Sequence, residues 1–501
     1  MKTTAFMRMS GLAVLLASTF AGAAFAAPTG RVTVAVAQLD GIDDPAKFGA
    51  ALTYPLLKIA YDSLLTFGAD GEIIPQLAES WSTPDGGKTW IFELRQGVTF
   101  SNGDTFDAED AKATLEHYRS EGSALIGHLS NVREIVVDGP YTLRIVQENV
   151  DATLPLLMTD RPGVVISADA LAQPEFPPLT SGSGPYILKE DNPGISQFYV
   201  ANPDYWDPEA VGAAELMILR IEDPVSRANG LRSGEIDMAL VSASQSQDIE
   251  MASGLNLYQI QGRSRVGLTI NPNLYEPLKD ERVRRALSMA IDREGQVYGL
   301  LFGQAEVASQ FAPASDPFYT EGLPEMPYDI EGAKALLVEA GYGDGLSFTV
   351  TAPPRYRPLA EAMQADWAKI GVTIELVFPT GTGNAERLWY KPDIPVGFWA
   401  FDGRNDLGFF YKQIFAEQGM YNPSRYVEPE VADLIVAIER EADVAARRAL
   451  IDDLSTLLSQ STGIQVPILH EYLIVGYSDD LTGVTPWQGQ FPYIRGIGRA
   501  E

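Results

Sequence analysis

The chain has 501 residues, enough for two or three domains with sizeable cores. Apolar residues make up 46% and charged residues 21%, which excludes a disordered, collagenous or multi-span membrane chain. With 67 acidic residues against 37 basic ones the formal charge is −30, so the chain repels phosphate backbones and anionic lipid, and nucleic acid is no partner.

Residues 1–26 read as a secretory signal. Lys2 and Arg8 form its positive end, residues 11–24 are small and apolar, and Ala24-Phe25-Ala26 is a small-x-small cleavage site. The run is too short to span a bilayer, so the mature chain is expected to be exported and soluble. Residues 31–37 alternate as a strand, followed by a Gly/Asp/Pro-rich loop over 40–47. Trp90, Phe92 and Leu94 alternate with Ile91, Glu93 and Arg95, again a strand. Ser101-Asn102-Gly103-Asp104 is a turn, Asp107 an N-cap, and Ala111, Leu115 and Tyr118 share one helical face. Residues 131–148 pair as strands.

The second half has a clearer grammar. Residues 280–292 carry Val283, Leu287, Ala290 and Ile291 on one helical face, and Ala333, Leu336, Leu337 and Ala340 form another. Leu346, Phe348 and Val350 alternate. Leu359, Met363, Trp367 and Ile370 then line a helix stopped by Gly371, and Val372, Ile374, Leu376 and Phe378 alternate after it. Helix, strand, helix, strand with short links predicts an α/β layer with neighbouring parallel strands. Two helices are predicted within 431–458, and residues 464–477 return as strand.

Chemistry is sparse. The absence of cysteine removes disulfides, thiolate metal sites and a cysteine nucleophile, and three histidines, His117, His128 and His470, are too few for a histidine-rich metal cage. Ser181-Gly182-Ser183-Gly184 has the wrong spacing for a serine-hydrolase elbow, and His470-Glu471-Tyr472-Leu473-Ile474 lacks the second histidine of a zinc peptidase. No phosphate-binding or dinucleotide fingerprint occurs. A glycosidase carboxylate pair stays open, since its two acids need not be near in sequence. The balance favours a binder over an exported hydrolase.

Several stretches carry a resemblance. Tyr61-Asp62-Ser63-Leu64-Leu65 precedes Pro75-Gln76-Leu77-Ala78-Glu79-Ser80-Trp81 and Asp85-Gly86-Gly87-Lys88-Thr89-Trp90. Phe92-Glu93-Leu94-Arg95-Gln96-Gly97-Val98-Thr99-Phe100, Ser181-Gly182-Ser183-Gly184-Pro185-Tyr186 and Asn202-Pro203-Asp204-Tyr205-Trp206 follow. Then come Leu231-Arg232-Ser233-Gly234-Glu235-Ile236-Asp237 and residues 283–292, Val-Arg-Arg-Ala-Leu-Ser-Met-Ala-Ile-Asp. In this order, over essentially the whole mature chain, the set resembles the bacterial extracellular solute-binding proteins of family 5, the peptide/nickel/opine class that serves ABC importers.

The resemblance implies an α/β, two-lobed periplasmic-binding-protein fold of type II with an extra subdomain in the first lobe. Lobe I would be 27–62, 165–267 and 478–501, the extra subdomain 63–164, and lobe II 268–477. The chain would cross near Val266–Asn271 and return near Gly476–Ser478. It further implies a periplasmic monomer that closes on its ligand and docks on an inner-membrane permease with separate ATPase subunits. Most of the motifs read as structure: Trp81, Trp90 and Trp206 as core, and Arg282, Arg284 and Arg285 as a solvated helix face.

Ligand residues follow from the dipeptide-binding branch, which resembles residues 364–372 and places an arginine near here on the ligand carboxylate. Arg355 is the first candidate, Tyr356 the second, and Arg357 stands in if the loop is shorter. A guanidinium fork matches two carboxylate oxygens. The peptide-binding branch also has a W-x-x-D-x-x-D-P-D segment. Aligned on Trp399 and Asp402, this chain has Asn405 where the second aspartate holds a ligand ammonium, and Asp406 at the proline. An amide cannot supply that charge. Either Asp402 or Asp406 substitutes, or the ligand has no free α-amine; Arg404 favours an acidic group. Trp399 is a candidate stacking wall, and Gln38, Leu39 and Asp40 end the first strand at the cleft mouth. No cofactor or metal is expected, and a nickel or haem role is weak because all three histidines lie in segments that read as structural. The preferred ligand is a short peptide or an opine-like amino-acid conjugate. Alternatives are an oligosaccharide or other non-peptide solute, a chemoreceptor adaptor or chaperone, and, remotely, an exported hydrolase.

Overall fold

The computed structural model describes residues 28–39, 44–47, 54–68, 72–173, 181–380, 383–401, 406–460, 463–486 and 494–500. In chain order the strands that matter are β1 (Arg31–Val36), β2 (Ala78–Ser82), β3 (Thr89–Leu94), β4 (Val132–Gly139), β5 (Thr142–Gln147), β6 (Tyr186–Asn192) and β7 (Ser196–Ala201). They continue with β8 (Glu215–Arg220), β9 (Met238–Leu240), β10 (Leu255–Ile270), β11 (Ala305–Val307), β12 (Leu346–Thr351), β13 (Val372–Val377), β14 (Val396–Phe401) and β15 (Gln465–Ser478). The helices are α1 (Ala108–Tyr118), α2 (Glu281–Met289), α3 (Arg357–Ala368), α4 (Leu407–Phe415), α5 (Pro429–Arg440) and α6 (Val444–Gln460).

One eleven-stranded sheet runs through both lobes in the order β13-β12-β14-β10-β15-β9-β1-β8-β7-β6, with β11 added on β15. The extra subdomain has its own four-stranded sheet, β2-β3-β5-β4. Ser63 and Val164 form an isolated antiparallel bridge, so the chain leaves lobe I and rejoins it at one point. The alternation in β3 buries Trp90, Phe92 and Leu94 as its period of two requires. On α3, Leu359, Met363 and Trp367 are buried. Asp107 caps α1 in a reciprocal capping box with Asp110.

Two readings differ. The helix expected over 280–292 is α2, capped by Asp280, and it ends at Met289, short of Asp292, which takes the amide of Gly295 and caps a separate helix, Arg293–Leu300. Arg284 is buried on α2 rather than solvated, and its guanidinium donates to the carbonyls of Leu278 and Lys279; Arg282 and Arg285 are exposed.

The motifs of the first 206 residues converge. Asp62 is fully buried and accepts from Gln76 (2.5 Å), the Tyr205 hydroxyl (2.9 Å), the Trp206 indole (3.0 Å) and the Ser183 hydroxyl (3.3 Å). Tyr61 and Ser181 share a 2.8 Å hydroxyl bond. These separated stretches therefore form one polar knot that joins lobe I to its subdomain. Burial raises the Asp62 pKa against the opposing Arg495 charge and these bonds.

Lobe I is completed late in the chain. The strand Leu481–Thr482 pairs with Gly498–Arg499, and Arg499 bonds the Arg31 carbonyl (3.1 Å) and ion-pairs with Asp237 (3.0 Å).

Candidate functional site

Strand direction places the cleft. β1 is parallel to β8 and β9; β9 is antiparallel to β15, and β15 to β10, so β10 leaves lobe I in the direction of β1. On arrival β10 is antiparallel to β14, which is parallel to β12, which is parallel to β13. The carboxyl ends of β1, β8 and β9 therefore face the carboxyl ends of β12, β13 and β14. Loops at the carboxyl ends of parallel strands are where such sheets bind ligands.

β10 and β15 link the two lobes. Leu255–Ile260 of β10 pair with Leu473–Ser478 of β15; beyond an irregularity at 260–264, Ser264–Thr269 pair with Gln465–Glu471, and Arg265–Ile270 also pair with β14. β15 pairs with β11 over Leu469–Glu471 and with β9 over Val475–Tyr477. The irregularity and the change of neighbours mark the boundary between the lobes.

The loop after β12 carries the arginine candidates. A 3-10 turn, Pro354–Tyr356, leads into α3, with Pro358 fixing its first turn. Arg355 is exposed, its guanidinium 4.7 Å from the Tyr356 ring centroid. Tyr356 is 2% exposed, and its hydroxyl donates to the Glu471 carboxylate at 2.8 Å. The Ser264 hydroxyl approaches the same carboxylate at 3.5 Å. Arg357 points elsewhere: it lies 3.7 Å from the Phe378 ring and 3.6 Å from Glu361. Glu471 was not singled out from the sequence; it lies in the last predicted strand and ties that strand to the loop that carries Arg355.

At the end of β14, Trp399 is 1% exposed and packs among Phe311 (6.4 Å), Phe401 (4.8 Å) and Phe410 (6.3 Å). It is core of lobe II and presents no stacking wall, because the aromatic side chains of α4 and residue 311 cover it. Its indole N–H is buried without a hydrogen-bond partner. Asp406 is spoken for: it caps α4 by accepting from the Phe409 amide (2.6 Å), and both its oxygens are held by the Arg447 guanidinium. That doubly bonded pair leaves little for a ligand ammonium. Gln38 is exposed at the carboxyl end of β1 and Leu39 is buried. Asp40, Asp402, Arg404 and Asn405 lie outside the described residues.

The histidines are engaged or enclosed. His117 shares a 2.7 Å bond with Asp44. His470 is buried on β15 and donates to the Gln310 carbonyl at 3.1 Å; burial first, then the neighbouring Arg265 charge, lowers its pKa to about 3. Arg265 is itself buried, paired with Asp316 at 3.2 Å and set over the Phe410 ring at 4.8 Å. Among the described residues no group of three or more His, Asp or Glu could hold a metal ion, and no helix is long and apolar enough to cross a membrane.

Comparison with known proteins follows this geometry. A family model described as bacterial extracellular solute-binding proteins, family 5 Middle, matches residues 72–422. The chain is 26% identical to the di/tripeptide-binding protein 1 of Pseudomonas aeruginosa, over 85% of this chain and 86% of that one. It is 28% identical to the nickel-binding periplasmic protein of Escherichia coli K12, over 87% of each. Among solved structures, the periplasmic binding protein DppA of Helicobacter pylori, in complex with the peptide STSA, superposes with a TM-score of 0.84 at 22% identity, over 94% of this chain and 98% of that one. These relatives are solute-binding proteins, and the fold is their two-lobed α/β fold. The chain belongs to the bacterial extracellular solute-binding proteins of family 5.

Proposed function

We propose that this protein is the periplasmic capture component of an ABC importer, and that its ligand is a short peptide or an opine-like amino-acid conjugate carrying a carboxylate. One observation carries the ligand class: Arg355 sits exposed at the carboxyl end of β12, on the cleft edge, stacked on a tyrosine that is itself fixed to β15. A guanidinium set over a ring loses little entropy when it meets a carboxylate. Gln38 would be a neutral contact, while Tyr356, buried and bonded to Glu471, would only support Arg355. Asp402, Arg404 and Asn405 would meet the ligand's other end, with Asp406 holding their loop in place. The closed, loaded form would be handed to an inner-membrane permease by one copy of the chain, with no catalytic step.

The test is native mass spectrometry on protein purified without refolding. The expected result is an excess mass, released on denaturation, that fragments as a peptide or amino-acid conjugate. A released sugar or metal complex would overturn the ligand class, and a ligand recovered chemically changed would overturn the binding role.

A further inference from the structure

The two lobes also touch outside β10 and β15. In the extra subdomain, the Ala152 amide donates 3.0 Å to the Glu439 carbonyl in the last turn of α5, in lobe II. A helix leaves its final carbonyls without partners of its own. Here the amide of Asp443 turns to the Glu441 side chain (2.8 Å), so it does not close the helix onto Glu439.

The donor is held rigidly. The Asp151 carbonyl accepts from the Trp90 indole (3.2 Å) and from buried Gln147 (2.8 Å), the Asp151 amide donates to Gly87 (3.1 Å), and the Asp151 carboxylate accepts from Thr153 (2.6 and 2.8 Å). The acceptor is equally fixed. Arg447 of α6 donates to the Ile438 carbonyl (3.1 Å), beside Glu439, while its fork holds Asp406. Gly408 makes room for this: a Cβ there would come within 2.8 Å of the guanidinium and 2.5 Å of Ile438. Burial works against the Arg447 charge, but its bond to Asp406 and the fields of Asp406, Asp151 and Glu439 outweigh it.

We infer that the loop around Ala152 is a latch. It docks on the carboxyl end of α5 to hold the lobes together, and Arg447 joins that dock to Asp406, the N-cap of α4. Arg447 is thus a positioning residue that ties the seat of the latch to α4. The extra subdomain becomes the second jaw of lobe I rather than an appendage. The inference needs only the two-lobed fold and no ligand identity, so it stands or falls separately from the proposed function.

The test uses ligand-free full-length mature protein. Ala152→Pro removes the donor and should shift the open-to-closed ratio about threefold to tenfold toward open, the worth of one peptide hydrogen bond. The expected readout is a larger radius of gyration in solution scattering, with unchanged circular dichroism. An unchanged radius overturns the latch. Should Ala152→Pro misfold, the pair Ala152→Cys and Glu439→Cys decides, since the chain has no other cysteine. Rapid disulfide formation in the free protein, slowed severalfold by adding Arg447→Met, supports the latch; failure to cross-link, or a rate indifferent to Arg447→Met, overturns it.

Discussion

The Tyr356 hydroxyl donates to the Glu471 carboxylate across 2.8 Å, and so ties the turn before α3 to β15, a strand that links the two lobes. The loop that carries Arg355 and this linking strand share one hydrogen bond. Tyr356→Phe keeps the buried ring and removes only the donor. The expected cost is about 1.5–3 kcal/mol, the range for bonds to charged groups. A lower urea midpoint with an unchanged slope would show it; an unmoved midpoint would mean that the bond contributes nothing.

Arg355→Ala is expected to weaken a carboxylate ligand by about 1.5–3 kcal/mol, seen by calorimetry with the ligand recovered from the native protein. Arg357→Ala should change affinity by less than about 1 kcal/mol, because Arg357 lies over Phe378 and toward Glu361 at the surface. The opposite ranking would move the carboxylate role to Arg357.

Acid should destabilise the protein through His470. Burial and the Arg265 charge hold its folded pKa at about 3, below its ordinary 6.5. Between those values the unfolded chain takes a proton that the folded chain refuses, so stability is fully present above pH 6.5 and falls as pH drops toward 3. From pH 7 to pH 5 this one group should remove about 2 kcal/mol. Urea unfolding of the wild type and His470→Gln at both pH values checks it: equal losses would remove His470 as the cause.

Gly184→Ala should be severely destabilising. A Cβ there would fall 2.5 Å from the Ala60 carbonyl carbon and 2.6 Å from the Tyr61 nitrogen, both backbone atoms that cannot swing aside. The expected loss is about 3 kcal/mol or more, read as an early thermal transition. A near-native transition would mean that the motif's glycine is not needed for this close approach.

With a peptide or amino-acid conjugate as the proposed ligand, chelation should leave its capture intact. Loss of capture in EDTA, restored by a divalent metal, would contradict this.

The alternation of β3 and the stripe on α3 were legible because burial there follows the local period. The motifs around Asp62 were legible as a set, but their meeting was not: Gln76, Ser183, Tyr205 and Trp206 converge only through the topology. The exposed loop position of Arg355 could be read from the prolines around it. Trp399 could not be told from a ligand wall, because what buries it, Phe311 and Phe410, comes from distant segments. The hold of Arg447 on Asp406 spans 41 residues with no local signature, and so an aspartate that reads as a ligand group is part of the scaffold. The change of neighbours along β10 and β15 was not legible either, since a strand that changes partners keeps its own period.

The late completion of lobe I sets the order in which this protein can be made. β1 emerges first, yet its sheet neighbour β9 must wait for β15, and the Arg31 carbonyl and Asp237 wait for Arg499. A chain synthesised from its N-terminus therefore holds open strand edges in lobe I until residues 474–499 have arrived. Lobe II, contiguous from β11 through α6, has most of its partners in hand long before. Such separation of partners makes folding slow. The molecule keeps its earliest-made half unfinished to the end.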